Sequence, residues 1–193
     1  SRGPVHVAIY GGSFDPPHVA HALAVAYLLV VGRFERVVVV PVHSHAFDKS
    51  LAPFDDRVRM CELALAFTSR VEVSRVEERL EPPSYTLHTV QQLAREHPAW
   101  RLRLVVGADV LGETPRWHQF SRLVELAPLY VLGRQGFPHP DAPPPVLPEV
   151  SSTEIRALLA RPPSPEVDRA LGALLPAAVL DHVRARRLYP CGS

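Results

Sequence analysis

Short apolar runs alternate with helical patterns along the whole chain, and this alternation narrows the possible folds more than any other feature. The runs at 5–10, 36–42, 71–73, 101–106 and 129–132 have strand length and are rich in Val, Ile and Leu. Helical spacing or helix signals occupy 18–31, 54–67, 84–96, 119–126, 154–160 and 177–187. Such alternation predicts an α/β fold: a parallel sheet of about five strands with helices on both faces, and a helical C-terminal part over 150–189. The four consecutive valines at 37–40 show no alternation, as expected of a central parallel strand buried on both sides. The helix at 18–31 is apolar almost all round, which predicts burial on most faces, with Pro16 and Pro17 in its first turn. The proline-dense stretch 134–148 reads as a loop. No linker divides the chain, so residues 1–193 are expected to form one domain, with 1–4 a disordered or processed end.

Composition excludes several classes of function. With 47% hydrophobic and 21% charged residues, the chain can bury a sizeable core. A net charge of +1 lacks the basic excess of a duplex-binding protein, so nucleic acid is not expected as the main partner. The longest apolar run, 22–31, falls well short of the ~18 residues that span a bilayer, and no secretory signal opens the chain; no membrane partner is expected. Cys61 and Cys191 lie too far apart in sequence to suggest a disulfide framework or zinc cluster, which points to a reducing cytoplasm. All but one of the 21 basic residues are Arg; the exception is Lys49.

In parallel sheets of this kind ligands bind beyond the carboxyl ends of the strands, where the winding reverses. The loop after the first strand reads Gly11-Gly12-Ser13-Phe14-Asp15-Pro16-Pro17-His18-Val19-Ala20-His21. Two glycines let backbone approach a ligand, and the helix that follows turns its N–H groups and positive dipole end towards an anion. His18 and His21 are three apart and share a helix face, so both imidazoles can donate to phosphate oxygens. Each histidine taken singly reads better as a helix cap in a tight turn; the assembled string at this position is what points to function. A second segment, Ser151-Ser152-Thr153-Glu154-Ile155-Arg156, contains a capping box of Ser151 and Glu154. The capping box leaves Arg156 unexplained, and a guanidinium in the first turn of a helix suits a polyphosphate.

The first string resembles the signature of the nucleotidyltransferase superfamily whose His-x-Gly-His motif opens the first helix. Class I aminoacyl-tRNA synthetases carry a related motif but add a Lys-Met-Ser-Lys-Ser loop that nothing here matches. Residues 150–156 resemble the Ile-Ser-Ser-Thr-x-Ile-Arg motif of nicotinate-nucleotide adenylyltransferases, with Val150 replacing the Ile. Pro83-Ser84-Tyr85-Thr86, then Val106-Gly107-Ala108-Asp109, Trp117 and Arg134 follow that family in order, so the resemblance covers residues 5–189.

The resemblance implies a Rossmann-like, doubly wound fold and transfer of AMP from ATP to nicotinate mononucleotide, giving nicotinate adenine dinucleotide and pyrophosphate. It implies catalytic roles for His18, His21 and Arg156. It places ATP on Gly11, Gly12, Ser13, Phe14, Gly107, Asp109, Ser152 and Thr153, and the mononucleotide on Tyr85, Thr86, Trp117, Lys49, His45 and Arg134. Mg²⁺ is expected to arrive on the ATP phosphates, with no dedicated protein metal site. The chain departs from the pattern in two places: Ala20 stands where Gly is usual, and 41–49 replaces a Pro-Pro-His-Lys type segment. His43-x-His45 lacks an evident third metal ligand. The competing readings are an adenylyltransferase for nicotinamide mononucleotide or phosphopantetheine, and a non-catalytic nucleotide-binding protein on the same fold.

Overall fold

A computed structural model describes residues 3–43 and 50–191. Five strands, β1 (Val5–Gly12), β2 (Arg36–Pro41), β3 (Val71–Val73), β4 (Trp100–Gly107) and β5 (Leu129–Leu132), form one all-parallel sheet in the order β3-β2-β1-β4-β5. In the register of this sheet Ile9 of β1 lies between Val38 of β2 and Leu104 of β4. The helices are α1 (Val19–Val30), α2 (Phe54–Ala64), α3 (Thr86–Glu96), α4 (Phe120–Leu126), α5 (Ser152–Leu159), α6 (Pro165–Leu174) and α7 (Ala177–Ala185).

The valine run explains the layering. Side chains alternate across a strand, so Val37 and Val39 enter one apolar layer while Val38 and Val40 enter the other. The first layer is closed by α1, α2 and the C-terminal helices through Leu28, Met60, Ile155, Leu171 and Val179. The second is closed by α3 and α4 through Leu87, Val90, Leu93 and Leu123. All four valines are 0–2% exposed, and burying each contributes about 1.5–3 kcal/mol. The fold class expected from sequence is the one observed.

Several details differ from expectation. Pro16 and Pro17 precede α1 instead of occupying its first turn, because His18 is still extended (φ −138°, ψ −177°) and acts as the N-cap. Nor is α1 buried on most faces: a stripe of Ala20, Ala24, Val25 and Leu28 packs inward, while Leu23, Val30 and Val31 remain exposed. The second helix stops at Ala64 rather than at 67, and α3 begins at Thr86 rather than at 84. Helix α6 was not expected at all. The Ser164 side chain accepts a hydrogen bond from the Val167 N–H (3.1 Å) and Pro165 takes the first turn, where a missing N–H costs nothing. Helix α7 is tied to α2 through Asp56, whose carboxylate meets His182 Nε2 at 2.9 Å and accepts from Arg186 Nε at 3.1 Å. His45 and Lys49 lie outside the described residues.

Candidate active site

The connections after β1 and β4 leave the sheet in opposite directions, which opens the crevice expected for this sheet order. Gly12 ends β1 and Gly107 ends β4. A Cβ on Gly107 would run into the Asp109 carboxylate and lie 3.2 Å from Arg134 Nε, so the bare backbone there lets those two side chains meet, Arg134 Nε to Asp109 Oδ1 at 3.5 Å. Beyond Gly12, Phe14 adopts φ +49°, a costly backbone for a non-glycine residue. It is held there by burial of its ring against Tyr10 and His21, with centroids 5.7 and 4.9 Å away.

His18 and His21 stack with ring centroids 3.8 Å apart. The His18 backbone N–H donates to His21 Nδ1 at 3.0 Å, so a neutral His21 carries its proton on Nε2. His21 therefore caps the helix through one nitrogen and keeps a donor on the other. His18 is 4% exposed, and its Nδ1 is buried without a hydrogen-bond partner. Burial, reinforced by the Arg134 charge, pushes His18 from an ordinary 6.5 down to about 4. Burial, then His18 and Arg134, also hold His21 well below the ordinary value. Both imidazoles are thus neutral near pH 7. Between pH 6.5 and 4 the unfolded chain binds protons that the folded one refuses, so stability is present above that window and falls as pH drops through it. The His18 share of the fall in unfolding free energy between pH 6.5 and 4.5 should be about 2 kcal/mol, read from urea titrations as the difference between the parent and His18→Gln, whose slope should be flatter. A slope identical in the variant would contradict the burial argument.

A cavity of about 710 Å³ opens over this pair, lined by Ser13, His18, His21, Asp109, Arg134 and the first turn of α5 from Ser151 to Thr153, with Phe137, Glu149, Val150 and Glu154 at its margin. Ser151 caps α5 by accepting from the Glu154 N–H at 3.1 Å, and Ser152 Oγ donates to the Pro16 carbonyl at 2.8 Å, fixing α5 against the loop after β1. A smaller recess of about 50 Å³ beside it is lined by Tyr10, Ala20, Gly107 and Gly133, so the Ala20 methyl is accommodated at its wall. A separate pocket of about 150 Å³ is walled by Gly11, Gly12, Glu77, Thr86, Val106 and Trp117.

The residues expected at the site divide as follows. Gly11 and Gly12 lie at the apolar pocket; Ser13, Asp109, Ser152 and Thr153 line the larger cavity. Gly107 borders the small recess. Phe14 acts from beneath, behind His21. Thr86 and Trp117 come together in the apolar pocket. Tyr85 does not line that pocket; it is half exposed and stacks on His118 with centroids 4.3 Å apart. Arg134 faces Asp109 and the histidines rather than Trp117, on the side expected for ATP. Arg156 does not line the large cavity. Its Nη1 donates to the Asp15 carbonyl at 2.7 Å and stands 3.8 Å from the Asp15 carboxylate, because a carboxylate 1% exposed demands a nearby cation.

Sequence reasoning missed Arg57. Its guanidinium is fully buried and donates to the carbonyls of Ser13 (2.9 Å), Val42 (2.7 Å) and Ala52 (2.9 Å), joining the loops after β1 and β2. A buried Arg on the inward face of a helix is the only local signal. Arg57→Met should cost on the order of 2 kcal/mol, since it strands buried carbonyls. A chemical-denaturation midpoint equal to that of the parent would refute this bracing role. Glu77 was also missed. It accepts from Thr89 Oγ1 (3.1 Å) and the His43 N–H (3.3 Å) at the edge of the apolar pocket.

The cytidylyltransferase-like family matches residues 9–158. A probable nicotinate-nucleotide adenylyltransferase of Anaeromyxobacter dehalogenans (strain 2CP-C) is 44% identical over 97% of this chain and 98% of its own. The chain belongs to the nicotinate-nucleotide adenylyltransferases. Another relative in this family, from Thermus thermophilus, is 34% identical over 96% of this chain and 100% of its own. Among solved structures, the nicotinic acid mononucleotide adenylyltransferase of Plasmodium falciparum complexed with APC superposes with a TM-score of 0.78 at 20% identity, covering 96% of this chain and 97% of that one. The same Plasmodium enzyme complexed with NaAD gives 0.78 at 21% identity. These likenesses show the shared fold. Among the described residues no helix is long and apolar enough to cross a membrane, and no cluster of three His, Cys, Asp or Glu could hold a metal ion.

Proposed function

We propose that the chain transfers AMP from ATP to the 5′-phosphate of nicotinate mononucleotide, forming nicotinate adenine dinucleotide and pyrophosphate. The observation that carries this reading is the presence of two unlike pockets whose walls include the chain neighbours Ser13 and Gly12: a polar cavity over His18 and His21, and an apolar one walled by Trp117 and Thr86. The polar cavity takes the triphosphate, and the apolar pocket takes the pyridine ring. The acceptor phosphate oxygen attacks the α-phosphorus, the α–β bridging P–O bond breaks, and its electron pair leaves with pyrophosphate. A phosphate monoester has its second pKa near ~6, so the nucleophile is already ionised at neutral pH and no general base is needed.

Catalysis then consists of alignment and charge stabilisation. His21, held in one tautomer by the His18 amide, donates through Nε2. His18 donates beside it as a neutral imidazole, and Arg134 supplies positive charge. Asp109, Glu149 and Glu154 outnumber that one guanidinium among the cavity-lining residues, so the triphosphate requires a cationic escort. A divalent cation on ATP fits this balance, and we take it to be Mg²⁺, which keeps phosphate and water ligands in preference to an all-protein cage. The free thiols of Cys61 and Cys191 accord with a cytoplasmic enzyme.

The pocket assignment has a direct test. Base–aromatic stacking is worth ~1–3 kcal/mol. Trp117→Ala should therefore raise KM for the mononucleotide about 10-fold or more while leaving KM for ATP nearly unchanged. An equal rise for both substrates would remove Trp117 from the acceptor pocket.

A further inference from the structure

Three chain segments converge on Asp15, three residues before His18. Its Oδ1 accepts hydrogen bonds from the Ala52 N–H at 3.1 Å and from the Tyr189 hydroxyl. Arg156 reaches its carbonyl at 2.7 Å and its Oδ2 at 3.8 Å. Asp15 itself is 1% exposed, so this carboxylate is part of the interior and cannot reach substrate. The connection to Tyr189 is remote in sequence and is made at a conformational cost. Arg187 and Tyr189 hold φ of +52° and +53°, the left-handed region that L-residues other than glycine, Asn and Asp rarely adopt. Two such residues within three, beyond the end of α7, bend the tail back so that the phenol meets the carboxylate. Backbone strain of this kind persists only where the surroundings over-determine it. Burial, then the Asp15 hydrogen bond, raise the Tyr189 pKa, so the hydroxyl remains a donor throughout the working pH range.

We infer that Tyr189 is a positioning residue for adenylyl transfer, whose hydroxyl fixes Asp15 and through it the His18 end of the loop after β1. The inference rests on the function proposed above, but only in part of its test. In Tyr189→Phe the ring remains and the hydroxyl alone is lost. Amide exchange at Ala52 and His18 should then accelerate about 10-fold, while exchange in β4 stays as in the parent. With saturating ATP, Mg²⁺ and nicotinate mononucleotide, kcat should fall about 10-fold with KM nearly constant, a fraction of the ~100-fold that a misplacement of about 1 Å can cause. Unchanged exchange at both amides, acceleration spread evenly through β4, or kcat within about two-fold of the parent would each overturn the inference. If the parent protein itself fails to join ATP to this acceptor, the proposed function fails, and the exchange measurement still decides whether Tyr189 fixes the loop.

Discussion

His18→Ala should lower kcat by ~100-fold or more in a protein that still folds. The expected loss follows from removing a preorganised donor aimed at charge that develops on the transferring phosphoryl group, an effect worth about 2.7–4 kcal/mol in comparable sites. Survival of the fold follows from what His18 does not do. Its Nδ1 is buried without a hydrogen-bond partner. Alanine therefore removes a buried polar atom that lacks a partner, and it leaves in place the backbone N–H that holds His21. Because the imidazole works as a neutral donor, His18→Gln should restore part of the rate where alanine does not. Parent-like kcat in a folded His18→Ala protein, verified by its denaturation midpoint, would remove His18 from the chemistry.

What could be read in the sequence, and what could not, follows the range of the interactions. The histidine pair, its glycine turn and the α5 cap were legible because each lies in one short segment where spacing alone sets a shared face. The sheet was legible because the valines at 37–40 admit only a strand covered on both sides. Arg57 was not legible, since its acceptors are backbone carbonyls in two loops that only the folded chain brings together. Capping leaves Arg156 unexplained in the sequence, and the fold supplies a neighbour for it in Asp15. Nothing local reveals that Asp15 is buried and in need of a cation. Tyr189 and Asp15 are 174 residues apart, beyond any periodicity argument. The start signal of helix α6, a Ser164 cap followed by a first-turn Pro165, is equally local and was passed over.

The other large effect concerns the acceptor. Nicotinate mononucleotide should be used with a catalytic efficiency at least ~100-fold above that of its amide counterpart. The two acceptors share ribose, phosphate and ring, so only the ring substituent can discriminate. Thr86 opens α3, an 11-residue helix whose N-terminal end carries partial positive charge and lies at the apolar pocket. A carboxylate there gains a charge-assisted interaction, whereas an amide forfeits the charge and turns an N–H towards donors. Among the described residues Glu77 is the carboxylate lining that pocket, and each of its oxygens is already engaged, one by Thr89 and the other by the His43 N–H. Losing the charge-assisted bond and stranding a buried polar group are each worth about 1–3 kcal/mol, and together they reach the stated ratio. The measurement that tests the account most directly is therefore kcat/KM for the two mononucleotides side by side, with ATP and Mg²⁺, following dinucleotide and pyrophosphate. Near-exclusive use of the acid, with both products formed in equal amounts, is the expected result; equal use of the amide, or no dinucleotide from either, would contradict it.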